Sequence, residues 1–510
     1  MFLPVFLVCV LASLALTPFL GSNFFPAVDS GQIKLHVRAR AGLRVEETAR
    51  LCDEVETAMR KVLGGDLVSL VDNVGLPVSG INLSYSNSAP TSAADADILV
   101  TLKEDHAPTA DYVRRLRAEL PGEFPGTSFA FLPADIVTQI LNFGAPAPID
   151  VQIRGFDLAG DNVFGQKLLD QIRHVPGIAD AHIQQDFDYP EFDVKVDRSR
   201  AQELGIPQRS VANDLLVSLT GSFQTSPAFW MDTKAGVSYP LVAQTPQPQL
   251  DSLDALRNIP VSAGTGDQAQ ILGALGSIKR NVGPSVITHY NVAPTIDIYA
   301  TTQDRDLGGV AADVQKLVDA AKKDLPRGSS VAIRGQVQTM QSSFAGLFGG
   351  LAFAILLVYL LIVINFQSWT DAFIIITALP AALAGIVWML FLTHTPLSVP
   401  ALTGAIMSVG VATANSILVV SFARDRMREQ GVDALTAALD AGFIRFRPVL
   451  MTALAMIIGM VPMALGLGEG GEQNAPLGRA VIGGLCLATV ATLLFVPTIF
   501  SLIHGRRRAA

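Results

Sequence analysis

The chain has 510 residues, of which 50% are hydrophobic and 16% charged, and its mean hydropathy is +0.40. A soluble domain is about 25% charged, so an ordinary soluble enzyme is a poor fit, and a formal net charge of −8 removes the basic footprint that a nucleic-acid partner requires. From Gln341 onward there are nine Arg, no Lys and seven acidic residues, so the acidity lies in the first 340 residues. The three cysteines, Cys9, Cys52 and Cys486, form neither a disulfide framework nor a metal-ligand spacing.

In chain order, the first element is the apolar run Phe2–Leu20. It lacks a basic leading region and exceeds the roughly 7–15 apolar residues of a signal peptide, so it reads as a retained span. A long, mostly polar stretch follows, and then five further apolar runs: Ser342–Ile364, Ala372–Leu392, Ala401–Phe422, Val449–Leu467 and Ala480–Ile503. A bilayer core is crossed by about 20 apolar residues of helix, which predicts six spans, none with a charge in its middle. With the C-terminus inside, the short inner segments hold Arg424, Arg426, Arg428, Arg445, Arg447, Arg506, Arg507 and Arg508. The outer loops His394–Pro400 and Gly468–Arg479 hold only Arg479. This bias predicts both termini inside and the large insert outside, which in a two-membrane bacterium is the periplasm.

Within the insert, four segments repeat a short alternating run, an amphipathic helix and another short run. Gln32–Val37 precedes a helical pattern at Val45–Leu63. Asp97–Leu102, Ala110–Leu120 and Ser128–Phe131 follow, then Ile149–Arg154, Asn162–His174 and Ile178–Gln184, and finally Thr295–Thr301, Leu307–Asp324 and Ser330–Arg334. Period-two strands and helices with apolar residues at three and four predict two split β-α-β, ferredoxin-like modules. Between the third and fourth units, Glu191–Ile278 reads as a separate inserted subdomain.

Several segments resemble a known family. Gly21-Ser22-Asn23-Phe24-Phe25-Pro26 and Asp29-Ser30-Gly31-Gln32 resemble the exit from the first span of the C-terminal half of a resistance-nodulation-division (RND) efflux permease. Asp135-Ile136-Val137, Ile140-Leu141-Asn142-Phe143-Gly144 and Pro146-Ala147-Pro148-Ile149-Asp150-Val151 resemble the join between its two porter modules. Arg447-Pro448-Val449-Leu450-Met451-Thr452 and Val461-Pro462-Met463-Ala464-Leu465-Gly466 resemble its penultimate span. The resemblance implies an inner-membrane proton antiporter of the hydrophobe/amphiphile efflux type, acting as a trimer with a periplasmic adaptor protein and an outer-membrane channel to export a small amphiphilic substrate, as in multidrug resistance. It divides the chain into a first transmembrane helix (1–22), a first porter module (23–146), a discontinuous second module (147–190 and 279–340), a docking-like subdomain (191–278) and a five-helix transmembrane region (341–510). The full permease carries two such halves as parallel repeats. This chain corresponds to one, which implies an N-terminal half-permease as partner.

The fourth span carries the residues of interest. Gly404, Ser408, Ala412 and Ser416 fall at four-residue steps, a small-residue stripe of the kind that lets membrane helices approach closely. Thr413 and Asn415 are polar groups in hydrocarbon and must face protein or water. From the residues alone a packing motif with a satisfied Asn is the simpler reading; the resemblance implies that Thr413, Asn415 and Ser416 face the proton relay of the other half. Many drug pumps of the family place a Lys in this motif where Ala414 stands here. Asn, Ser and Thr do not titrate in the accessible range, and antiport needs a group that does, so the chain alone is expected not to couple to protons. Pro380 and Pro462 are expected to kink their helices. Tyr85, Phe129, Phe131 and Phe143, with Phe124 nearby, are candidate substrate-cleft aromatics, although the stretch Val71–Tyr85 has only Tyr85 where drug pumps are phenylalanine-rich. There is no nucleophile elbow, phosphate loop or metal cluster, so neither an enzyme nor a cofactor is expected. The competing reading is a non-transporting scaffold, a decayed half-permease that only docks partners; a half-size homo-oligomeric exporter is a third.

Overall fold

The computed structural model of the chain describes residues 2–76, 90–142, 144–263, 269–468 and 470–509. Tyr85 and Phe143 lie outside the described residues. Five helices are long and apolar enough to cross a membrane: Gln336–Phe366, Trp369–Leu392, Val399–Glu429, Ala434–Ala464 and Ala475–Gly505. The N-terminal apolar run forms a shorter helix, Phe2–Leu14, and then a 3-10 turn, Thr17–Phe19. The α-helix stops short of the expected Leu20 because Pro18 has no N–H to donate and its ring crowds the preceding turn.

The other helices outrun their apolar stretches. Gln336–Phe366 grows directly out of the strand Ser330–Gly335. Gly335 makes the joint at φ +77°, where a Cβ would lie 2.8 Å from the Pro148 carbonyl oxygen, so only glycine fits. Trp369–Leu392 consists of two pieces, Trp369–Ile376 and Leu379–Leu392. Pro380 sits in the first turn of the second piece, where its missing N–H is one that has no intrahelical partner anyway. The last helix carries a five-residue π-helical segment, Ala491–Phe495, between Ala475–Val490 and Val496–Ala509.

Glycines set the packing of the bundle. A Cβ on Gly385 would lie 2.2 Å from the Gly483 carbonyl oxygen, one on Gly404 would lie 2.7 Å from the Leu477 carbonyl oxygen, and one on Gly484 would lie 2.1 Å from Ser408 Oγ. Leu379–Leu392 and Val399–Glu429 therefore press onto Ala475–Val490 backbone to backbone, the small-residue mode of contact in lipid. The outward surface is apolar, with Phe353, Leu361, Ile364, Phe443, Met451 and Ile458 exposed. Each such side chain gains about 1.5–3 kcal/mol on leaving water, so this surface suits hydrocarbon.

Two α+β modules stand beside the bundle. In the first, strands Leu67–Val74, Asp95–Leu102, Gln32–Arg38 and Ser128–Leu132 lie in that order in one antiparallel sheet. Alternation puts Ile33, Leu35 and Val37 on the face covered by helices Val45–Leu63 and Thr109–Glu123, in a core with Met59, Leu116 and Leu120. Cys52 is buried there, and its thiol is pushed up to about 12 by burial. In the second module, Ile178–Ile183, Ala293–Thr302, Ile149–Arg154 and Ser330–Gly335 pair in that order, and the short strand Thr288–Tyr290 adds to Ala293–Thr302. Helices Leu158–Ile172 and Leu307–Ala321 bury Phe164, Leu168, Val310 and Val314.

The second module is tied to the bundle through the N-terminal segment. The Asn23 and Val399 N–H groups donate to the Leu397 and Phe24 carbonyls, both at the N-terminal end of Val399–Glu429. Ser22 N–H donates to Asp306 Oδ2 at 2.8 Å, and Leu307 N–H donates to Asn23 Oδ1 at 2.8 Å. The N-terminus of Leu307–Ala321 thus rests on the chain leaving the first helix.

Phe187–Ser285 is a compact unit of its own. Tyr189–Val196 and Gly276–Gly283 pair antiparallel along their whole length, and Ile206, Val211, Val261, Leu272 and Leu275 form its core. A hairpin, Ala228–Asp232 with Val237–Leu241, exposes Phe229, Trp230, Met231 and Tyr239.

The glycine contact is testable. A Cβ on Gly483 would lie 2.3 Å from Met389 Cβ, whereas Gly459 has nothing within 4 Å. Gly483→Val overpacks this seam, a change that costs about 1–3 kcal/mol. The purified chain in detergent should unfold several degrees earlier, followed by a thermal dye assay, and Gly459→Ala should not. Equal melting of the two variants would mean that the helices do not approach as described.

Candidate functional site

Thr413, Asn415 and Ser416 are all buried on Val399–Glu429. Thr413 Oγ1 donates to the Val409 carbonyl at 2.8 Å, the internal bond by which a hydroxyl satisfies itself in an apolar helix. Ser416 Oγ lies 3.0 Å from Thr492 Oγ1, inside the π-helical segment of the last helix. Thr452 Oγ1 on Ala434–Ala464 points at Asn415 Oδ1 from 3.4 Å. All three thus find partners in their own chain. Gly404, Ser408 and Ala412 occupy the seam with the last helix. The face of Val399–Glu429 left open is Thr403, Met407, Gly410, Ala414 and Leu418. Ala414, the position of the missing Lys, is on that open face.

Asp371, Arg424 and His504 form a charged cluster in the bundle. Asp371 lies 3.3 Å from Arg424 Nη1 and 3.1 Å from His504 Nε2. Arg424 Nη1 also donates to the Phe366 carbonyl at 2.7 Å, and the His504 ring stacks on Phe500 at 4.4 Å. The cluster stitches three helices together at one end of the bundle.

A cleft of about 540 Å³ opens between the two modules, lined by Arg117, Pro121, Phe129, Asp180, Gln303 and Asp304. Its wall is a clamp. Arg117 Nη2 donates to Asp180 Oδ2 at 2.5 Å and Nη1 to Gln303 Oε1 at 2.7 Å. Asp180 also accepts from the Phe131 N–H at 3.0 Å and from Thr301 Oγ1 at 3.2 Å. Phe129 lines the cleft edge-on to Phe124. Phe131 is buried beneath the Arg117 guanidinium, 5.0 Å from the ring centre, and belongs to the module core. Of the four candidate cleft aromatics, Phe129 alone among the described residues lines this cleft, and sequence reasoning missed the clamp, because nothing local on the helix or in the Asp180 turn names the partner.

The second module hides a polar face that alternation did not foretell. Asp150 and Tyr299 are register partners, as are Gln152 and Asp297. Asp150 and Asp297 are each only 5% exposed. Burial, reinforced by the other carboxylate, holds Asp150 well above the usual carboxylate range, and burial raises Asp297 as well. Burial likewise lifts the Tyr299 phenol and lowers the His182 imidazole to about 4. The His182 and His36 rings stack at 6.4 Å, and His36 Nδ1 pairs with Asp97 Oδ1 at 2.8 Å in the first module. Among the described residues no three His, Cys, Asp or Glu side chains are grouped to hold a metal ion.

An apolar helical bundle with its polar side chains turned inward, carrying paired α+β modules with a cleft between them, defines a membrane permease. The chain belongs to the AcrB/AcrD/AcrF family, whose model matches residues 1–504, and its relatives are RND permeases. It is 28% identical over 508 residues to protein HelA of Legionella pneumophila, covering 98% of this chain and 47% of that protein. It is 26% identical over 507 residues to the cobalt-zinc-cadmium resistance protein CzcA of Cupriavidus metallidurans, covering 98% of this chain and 46% of that one. The multidrug resistance protein MdtC of Serratia proteamaculans is 26% identical over 503 residues, covering 98% and 46%. A crystal structure of a heavy metal efflux pump superposes with a TM-score of 0.80 at 25% identity, over 98% of this chain and 50% of that one. The chain spans about half the length of the curated relatives it matches.

Arg117→Ala leaves the nearly buried Asp180 without its cation, a loss of about 2–4 kcal/mol for a pair in this environment. Denaturant unfolding of the full chain should register it, and Asp180→Asn added to Arg117→Ala should recover part. No change in the single variant would mean the clamp is not closed in solution. His182 has the opposite sign to an ion-paired histidine. Its folded value lies below that of an unfolded His, about 6.5, so its contribution is complete above that value and is lost as pH falls toward about 4. Limited proteolysis of the modules should accelerate through this window, and His182→Phe should remove that acid-induced increment.

Proposed function

We propose that the chain is the C-terminal half of an RND efflux permease of the bacterial inner membrane, working with an N-terminal half that carries the proton-relay carboxylates. The carrying observation is that similarity runs over residues 1–504 yet spans only about half of each relative. On this reading Phe2–Leu20 and the five long helices are six spans with both termini cytoplasmic, consistent with the inner Arg bias. The modules of 23–146 and of 147–190 with 279–340 act as periplasmic, ferredoxin-like porter modules, supported by their strand orders. The 191–278 subdomain docks an adaptor and an outer-membrane channel in a trimer. The open Thr403–Leu418 face, with Gly410 and Ala414 at a four-residue step, receives the other half. Thr413, Asn415 and Ser416 then line the relay from behind that face, through the π-helical turn rather than by direct contact.

The cargo this reading favours is a heavy-metal cation, because the cobalt-zinc-cadmium, nickel-cobalt-cadmium and cation-efflux proteins are among the relatives that align over 96–98% of this chain. An amphiphilic cargo is the second reading, favoured by the likeness to MdtC and by the Phe129 and Arg117 lining of the cleft.

Expression in an efflux-deficient strain distinguishes the readings. Together with an N-terminal half, the chain should raise tolerance to cobalt, zinc or cadmium in a proton-dependent way. Tolerance to amphiphilic dyes alone would select the second cargo. Proton-dependent export by this chain without a partner would overturn the half-permease reading. Ala414→Trp and Asn415→Leu should each cut export at least several-fold while leaving the melting temperature of the isolated chain close to that of the native protein.

A further inference from the structure

Where Val399–Glu429 finishes and Ala434–Ala464 begins, two guanidiniums meet on one aromatic ring. Arg426 lies over the Phe422 ring at 5.6 Å, one turn along the same helix. Arg445 reaches that ring from the other helix, at 5.1 Å. Both Nε atoms are buried, and neither has a hydrogen-bond partner among the described residues. Arg426 Nε has Asp440 Oδ2 at 3.8 Å, within ion-pair reach but too far for a hydrogen bond. Arg445 makes neither an ion pair nor a hydrogen bond among the described residues. Arg424, nearby, is already taken up by Asp371 and the Phe366 carbonyl.

A guanidinium seated on a ring keeps its N–H edge for an acceptor, and a buried N–H without an acceptor is costly. Two cations against one carboxylate leave this site one negative charge short. An anion with several acceptor oxygens would supply both needs at once.

Helix geometry says which anions are near. The apolar run Ala401–Phe422 amounts to about 32 Å of helix, close to the thickness of bilayer hydrocarbon, and Phe422 closes it. On the second helix, the distance from Arg445 to the last residue, Ala464, is about 28 Å. Phe422 and Arg445 therefore fall at the same hydrocarbon boundary, the depth at which lipid phosphates begin. The second helix continues past that boundary into the headgroup layer. There Leu435, Leu439 and Phe443 are exposed at four-residue steps, and the same face continues three turns later as Leu454 and Ile458. An apolar stripe that passes from hydrocarbon into the headgroup layer, with arginine beside it, is the pattern of a helix lying against lipid along its whole length.

We propose that Arg426 and Arg445 hold the phosphodiester of an anionic phospholipid, whose acyl chains lie along the exposed face of Ala434–Ala464. The charge matches: two guanidiniums and Asp440 leave one positive charge, and a phosphodiester carries one negative charge. A zwitterionic lipid fits less well, because its headgroup would bring a further cation to the two arginines. Basic pockets between membrane helices bind headgroups in this way. Only a bilayer around the bundle is required; neither a second half nor a particular cargo enters. With the termini inside, as proposed above, the lipid belongs to the inner leaflet, but binding to the isolated chain does not depend on that orientation.

Native mass spectrometry of the full chain in detergent, titrated with phosphatidylglycerol or phosphatidylcholine at physiological salt, tests the site. The chain should bind phosphatidylglycerol several-fold more tightly than phosphatidylcholine. Arg445→Gln removes a charged hydrogen-bond donor and should weaken phosphatidylglycerol binding about tenfold. Arg426→Gln should act in the same direction. Arg428→Gln, at an exposed arginine of the same helix, should change binding by less than about threefold, because salt screens it. Arg445→Lys keeps the charge without the planar fork and should restore only part of the affinity. Should Arg445→Gln fail to fold, the lipid preference of the native chain decides by itself. Equal binding of the two lipids, or equal losses at Arg445→Gln and Arg428→Gln, would overturn the proposal. So would displacement of phosphatidylglycerol by inorganic phosphate, because the site would then serve a free anion in place of a lipid.

Discussion

Backbone contact between helices at Gly385, Gly404, Gly483 and Gly484 is the constraint on which the other features rest. In hydrocarbon, helices gain nothing from hiding apolar surface from each other, so close approach and internal polar pairing must hold them together. The seam fixes where Val399–Glu429 sits against the last helix, and that placement brings Ser416 to Thr492 and turns Asn415 toward Thr452. It also determines where the N-terminal end of Val399–Glu429 emerges. There Leu397 and Phe24 meet, Ser22 and Asn23 hold Asp306 and Leu307, and the second module's helix begins. A shift of Val399–Glu429 along the seam would be felt at Leu307 through ordinary hydrogen bonds, without any long lever.

The π-helical segment Ala491–Phe495 gains its meaning from the same seam. An extra residue in one turn shifts the helix register locally, and such turns concentrate at functional positions. Here it presents Thr492 to Ser416 while Gly483 and Gly484, two turns earlier, keep their close contacts. The helix thereby meets one demand for tight packing and another for a polar pair.

The apolar runs made the bundle legible in the sequence, because length and hydropathy are local properties. Alternation likewise gave most strands of the two modules. What escaped was whatever depends on a partner distant in sequence. Arg117 and Asp180 are ordinary surface-type residues until the modules meet. In Ile149–Arg154, Ile149, Val151 and Ile153 lie in the core as an alternating strand requires, yet Asp150 on the opposite face is buried too. Period-two reasoning assumes that one face is wet; the pairing of Gln185, Thr288 and Asp297 covers this one. Along Val399–Glu429 the small-residue stripe was visible, but which neighbour it serves was not, since every face of that helix is apolar enough to be buried.

The placement of charge separates two kinds of proton chemistry in this molecule. Inside the bundle, Asp371 is bound between Arg424 and His504. A carboxylate fixed by a guanidinium and an imidazole serves as a structural knot; to act as a carrier it would have to be released from both on every cycle. Asp150 and Asp297 are the reverse case: buried, adjacent and without a cation within ion-pair distance among the described residues. Ionisation of either is opposed by burial rather than by an ion pair, so it responds to conformation as well as to pH. Any movement that admits water to the polar face of the second module lowers the affinity of these carboxylates for protons, and by linkage protonation favours the closed face.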